Sequence, residues 1–215
     1  MNLTPTHFNT FHQEIFGFSQ LKKVRTPEEI AQLKKIFQAT WLDFKSWQLA
    51  VTTPFLFTKI KCESWTNGWK LRTHYWCPYR TIARSDEAPC LATMLNGKNF
   101  RIYLMYQHYK SDNSPIRPAD YNQKIAQLPT AAQHFTDLEN YYIWTSQDAE
   151  DGDYLSLTTY LENPALQQKF QSQLNETTTF QVGYFLPSDH TYPDIEKIIA
   201  EKLTELIALY ESDAA

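Results

Sequence analysis

KIKCESWTNGWKLRTHYWC, residues 59–77, decides the reading of this chain. It is a β-rich run broken once, by Asn67-Gly68. An Asn-Gly between two such runs is the strongest short hairpin signal, because both central residues of a type I′ turn need positive φ. The sequence predicts strands over Phe55 to Trp65 and Trp69 to Cys77, joined by that turn. With Asn67-Gly68 as a two-residue loop, Trp65 faces Lys70, Glu63 faces Arg72, Lys61 faces His74 and Lys59 faces Trp76. Side chains alternate with period two, so these eight share one face, while Ile60, Cys62, Leu71, Tyr75 and Cys77 point to the core.

A second signal, Asn96-Gly97, lies between Pro89–Leu95 and Asn99–Tyr109. It predicts another hairpin with Leu91, Thr93, Phe100, Ile102 and Leu104 toward the core and Arg101, Tyr103 and Tyr109 on the opposite face. His108 falls on the core-facing register. Further strands are expected at Tyr141 to Thr145 and at Phe180 to Leu186. Helix signals flank them. Thr26-Pro27-Glu28-Glu29 offers a cap, a first-turn proline and a capping-box glutamate, and apolar residues recur at helical spacing from Ile30 to Trp47. Shorter helices are expected from Thr6, from Ala119 up to Pro129 and from Asn163-Pro164. A last one follows Pro193, with its stripe from Ile195 to Tyr210. This order predicts an α+β fold: one domain spanning 1–215, a mainly antiparallel sheet of about four to six strands built on two Asn-Gly hairpins, and helices on one face.

Composition narrows the function classes. The 215 residues carry a net charge of −4, which disfavours a dedicated duplex-DNA binder. Only 5 glycines are present, and neither dinucleotide nor P-loop glycine motif occurs. Three cysteines, an odd number, with no secretory signal suggest reduced thiols in the cytoplasm. No run reaches the about 18 apolar residues of a membrane span, so no membrane is expected as a partner.

The predicted hairpin face is where chemistry concentrates. From Thr58 to Arg84 there are six basic residues, Lys59, Lys61, Lys70, Arg72, Arg80 and Arg84, against Glu63 alone. The plainest account is a solvated sheet face with a cross-strand Glu63–Arg72 pair. The sharper account is a ligand surface. Trp65 and Trp76 stack, and Lys59, Lys61, Lys70, Arg72 and His74 neutralise an anion. A phosphorylated small molecule or single-stranded nucleic acid fits that chemistry. Two rivals follow. One is an enzyme on a phosphorylated metabolite, with His74 as acid or base and Arg72 as clamp. The other is a protein–protein module presenting exposed aromatics. Cys62, His74, Cys77 and Cys90 lack zinc spacing, so no metal or other cofactor is expected. The acidic group Asp148, Glu150, Asp151 and Asp153 around Gly152 does not match a calcium loop and reads as a solvated turn.

Several short stretches recur together along nearly the whole chain: HFNTF (7–11), FRIYLMYQHY (100–109), KIAQLP (124–129), YYIWTSQD (141–148), FQVGYFLPSD (180–189) and LIALY (206–210). In these the chain resembles the YktB-like family of small bacterial cytoplasmic proteins, a family without an assigned function. The resemblance implies a single α+β domain and carries over no catalytic residues.

Overall fold

Thr26 starts the longest helix as its residues require: Glu29 N donates to Thr26 Oγ1 at 3.2 Å, and Thr26 N donates to Glu29 Oε2 at 2.7 Å. In the computed structural model, which describes residues 1–150, 152 and 154–212, this helix is α3 (Pro27–Ala50), after α1 (Pro5–Asn9) and α2 (Phe18–Val24). The strand region holds β1 (Thr66–Asn67), β2 (Lys70–Leu71), β3 (Tyr75–Tyr79), β4 (Pro89–Leu95) and β5 (Asn99–Tyr106). There follow α4 (Pro118–Gln123), α5 (Leu128–Ala131), β6 (Tyr141–Thr145), β7 (Leu155–Ser156), α6 (Leu157–Glu162), α7 (Pro164–Gln171), β8 (Phe180–Pro187) and α8 (Ile195–Glu211).

The fold is α+β, with a 6-stranded sheet of order β3-β4-β5-β8-β6-β7 and a separate 2-stranded sheet, β1-β2. All pairs are antiparallel. Alternation gives the large sheet two faces. One carries Tyr75, Leu91, Ile102, Val182 and Ile143 into the main core, where Phe37, Phe44 and Trp47 of α3 and Leu203 and Leu206 of α8 cover it. The other carries Trp76, Cys90, Met94, Tyr103, Trp144 and Phe185 into a second cluster, to which no helix among the described residues contributes. No helix among the described residues is long and apolar enough to cross a membrane.

The Asn-Gly reading of both turns is corrected. In the first hairpin Asn67 pairs with Lys70, so Gly68 and Trp69 form the loop. Gly68 has φ +58 and Trp69 does not share that region, the pattern of a turn with positive φ at its first central position only. In the second hairpin Asn96 N donates to Asn99 O at 3.1 Å, leaving Gly97 and Lys98 at the centre. Asn96 Oδ1 accepts from Lys98 N and Asn99 N, both at 2.9 Å, so the asparagine side chain builds this turn rather than its backbone conformation. Both turns therefore slip by one position. Each loop still holds two residues, so the residues facing each way in β4 and β5 stay as expected.

The larger departure is that the first hairpin is short. Residues 52–65 form no named strand. They run as a strap along the edge of β3, held by Thr58 N to Arg80 O at 2.8 Å and Glu63 N to Trp76 O at 3.1 Å. Pro129 also acts differently from expectation: it sits in the first turn of α5 rather than ending a helix.

Candidate functional site

The short hairpin owes its place to the N-terminal segment. Leu71 N donates to Phe16 O at 2.9 Å, and Phe18 N donates to Trp69 O at 3.0 Å. These bonds set residues 16–18 beside β2 as a third short edge. Between this edge and the hairpin opens a groove of about 430 Å³, lined by Glu14, Gly17, Gln20, Lys70, Arg72 and His74 among others. A second depression of about 470 Å³ shares Phe16 and Thr73 with it and reaches His12, Lys98 and Glu150.

Three of the seven sequence-selected residues meet here: Lys70, Arg72 and His74. Lys70 is exposed. Arg72 Nη1 lies 2.5 Å from Glu63 Oε2, the pairing across strands that the sequence suggested. Its Nε is buried and has no hydrogen-bond partner among the described residues. His74 Nδ1 lies 2.9 Å from Glu150 Oε2. The hydrogen bond from His74 holds the Glu150 carboxyl below its ordinary range; burial opposes this, and the charges of His74 and Arg101 add to it. The groove is thus mixed in sign, with Glu14, Glu63 and Glu150 beside its cations.

The other four lie elsewhere. Lys59 and Lys61 are exposed on the strap. Trp65 packs against the main core. Trp76 is buried in the second cluster, where its Nε1 donates to Tyr103 OH at 3.0 Å. The common face on which Trp65 and Trp76 were both expected to stack with a ligand is absent, since Trp65 packs on the main core and Trp76 in the second cluster, and the register between them also changes. Arg72 N bonds Trp65 O, yet Glu63 N bonds Trp76 O, so the strand between them gains two residues on one side.

Sequence reasoning passed over the partners that organise this end of the sheet. Arg101, assigned to the face away from the core, is only 2% exposed. Its Nη1 donates to Tyr154 OH at 3.1 Å, its Nε to Asn99 Oδ1 at 3.2 Å, and its Nη2 to the Glu150 carbonyl. The guanidinium lies 5.0 Å from the Phe185 ring centroid and 5.3 Å from that of Tyr154. Tyr154 in turn stacks on Trp144 at 4.8 Å. The acidic loop is exposed at Asp148, Glu150 and Gly152, as a solvated turn should be, and only its backbone at the Glu150 carbonyl and the Tyr154 ring that follows it reach back to Arg101 among the described residues; Asp151 and Asp153 lie outside those residues. The signal for this was an arginine inside the apolar run from Phe100 to Tyr106. His108, expected to face the core, is half-buried with Nε2 3.1 Å from Thr179 Oγ1, and burial lowers its pKa.

A protein-family model matches residues 3–213. An uncharacterised protein of Haemophilus influenzae is 30% identical over 158 residues, 72% of this chain and 72% of the relative. The chain accordingly belongs to an uncharacterised bacterial protein family that takes in nearly its full length.

Proposed function

We propose that the chain is a cytoplasmic binding protein for a small anionic molecule, phosphorylated by preference, held in the groove between residues 14–20 and the β1–β2 hairpin. The observation that carries this is Arg72, a lining residue of the groove whose Nε–H is buried and has no acceptor among the described residues. An unmet buried donor is costly, and a phosphate or carboxylate oxygen supplies the acceptor that Glu63, bound at Nη1, does not. Lys70 adds a second cation to the same lining. A cavity of about 430 Å³ suits a small molecule. Burial of Trp76 and docking of Trp65 remove the stacking platform that single-stranded nucleic acid needs, so the small molecule is the better supported ligand. Kinship to the YktB-like family would leave this reading unchanged, since it brings no residue roles.

Titration calorimetry with inorganic phosphate and with a sugar phosphate tests the reading. Charge-assisted hydrogen bonds contribute about 1.5–3 kcal/mol, so Arg72→Gln should weaken a bound phosphate by about tenfold or more. Lys70→Gln should weaken it less. Equal affinity in wild type and Arg72→Gln, or no heat with either probe, sinks the proposal. One observation favours an enzymatic reading: the Glu150 carboxylate orients the His74 imidazole from Nδ1, the arrangement of a general base. It requires that His74→Ala abolish turnover of a phosphorylated substrate while phosphate still binds.

A further inference from the structure

The strap meets β3 through sulfur. Cys62 Sγ and Cys77 Sγ lie 3.0 Å apart, and both are free thiols. Their opposition follows from the backbone. Glu63 N bonds Trp76 O, so 62 and 77 form the next pair along the edge, one without its own hydrogen bonds. Such antiparallel pairs bring Cα atoms to about 4.5 Å, inside the range of about 4.4–6.8 Å that disulfides span. The two cysteines differ in access: Cys62 is half-buried and Cys77 fully buried. The Cys62 thiol is held below its ordinary value by the hydrogen bond with Cys77, with burial opposing and the Lys45 ammonium assisting. The bond to Cys62, and then burial, push the Cys77 thiol far up. The third cysteine, Cys90, is buried in the cluster on the opposite face of the sheet.

We propose that Cys62 and Cys77 form a reversible dithiol–disulfide site that is oxidised by hydroperoxides and fastens the 52–65 strap to β3. The accessible Cys62, as thiolate, attacks the terminal oxygen of the hydroperoxide. The O–O bond breaks, an S–O bond forms, and the departing alkoxide takes up the proton that Cys62 released, leaving an alcohol and a sulfenic acid on Cys62. The Cys77 sulfur then attacks the Cys62 sulfur. The S–S bond forms, the S–O bond breaks, and the leaving hydroxide takes the Cys77 proton as water. Two thiols give up two electrons and two protons; the hydroperoxide becomes alcohol and water. A small-molecule thiol reverses the reaction by exchange. The disulfide would fix the segment that carries Lys59, Lys61 and Glu63, and Glu63 is the partner of Arg72. The proposal does not depend on the groove holding a ligand.

The folded protein is treated with hydrogen peroxide, alkylated, and digested with trypsin without reduction. The expected product is a molecule lighter by two hydrogens, in which the fragment 62–70 is linked to the fragment 73–80, while Cys90 takes alkyl groups only after unfolding. A dithiol reductant should return both fragments. In Cys77→Ser, with its fold checked by circular dichroism, a dione probe for sulfenic acid should label Cys62; Cys90→Ser should leave the link unchanged. Three results on the wild-type protein overturn the proposal: peroxide leaves all three thiols reduced, Cys62 proceeds to sulfinic acid unlinked, or the link involves Cys90.

Discussion

Gly183 shows how much one residue position can decide. It lies in β8 opposite Tyr103 on one side and Tyr142 on the other. A Cβ placed there would come within 2.5 Å of Ile102 O and 2.7 Å of Tyr103 Cα, both backbone atoms of β5. Backbone in a central strand cannot step aside as a flexible side chain can. Glycine here admits the neighbouring strand and the Tyr103 ring, which the second cluster uses to receive the Trp76 N–H. Overpacking a tight core costs about 1–3 kcal/mol, and contact with backbone puts Gly183→Ala at the upper end. Urea unfolding followed by tryptophan fluorescence should show a loss of about 3 kcal/mol; a loss under about 1 kcal/mol would mean that β5 and β8 can separate locally. The same reasoning explains Arg101. Its charge is tolerated at 2% exposure because three donors are met and aromatic faces surround it.

At the scale of elements, legibility followed locality. The bounds of α3 were readable because a cap acts within one turn: Thr26, Pro27 and Glu29 are their own evidence. Thr26→Ala should cost about 1 kcal/mol and fray the first turn, measurable as a lower thermal midpoint with the m-value unchanged. No change in the midpoint would show that packing of Ile30 and Leu33 alone fixes the start of the helix. Strands β4, β5, β6 and β8 were readable for a related reason, since period-two patterning holds in any antiparallel register. The first hairpin was not, because its pairing competes with partners far away in sequence. Phe16 and Phe18 take the hydrogen bonds of Leu71 and Trp69, and Arg80 takes that of Thr58. No pattern within 59–77 announces either. The basic residues of that stretch then divide: Lys70, Arg72 and His74 enter a groove, while Lys59 and Lys61 ride the strap. The groove owes part of its wall to Glu14, Gly17 and Gln20, which carry no sequence signal of their own.

Across the whole molecule, the sheet is covered unequally. Helices α3 and α8 pack on one face, whereas on the other, among the described residues, the segment after β6 folds over Trp144 and Arg101, through Tyr154 and the Glu150 carbonyl. What ties that segment to the far edge is the Glu150–His74 pair at 2.9 Å, joining the end of the second cluster to the wall of the groove. This coupling has a sign that can be checked. The Glu150 carboxyl titrates below its ordinary value of 4.5 in the folded chain, first because of the hydrogen bond from His74. A depressed carboxylate contributes stability that is complete above the unfolded value and disappears as pH falls through the folded one. The window therefore opens near 4.5 and extends downward. The carboxylate is 53% exposed, so solvent screening keeps the contribution under about 1 kcal/mol. Glu150→Gln should be slightly less stable than wild type at about pH 7 and equal to it by about pH 2, as read from urea midpoints at each pH. Protection of the Gly152 amide, which donates to Ala149 O at 3.0 Å, from hydrogen exchange should fall over the same acid window in wild type and be low throughout in the variant. If the two proteins differ by the same amount at both pH values, the pair does not hold the segment, and the bonds of Arg101 and Asn96 to the Glu150 carbonyl do.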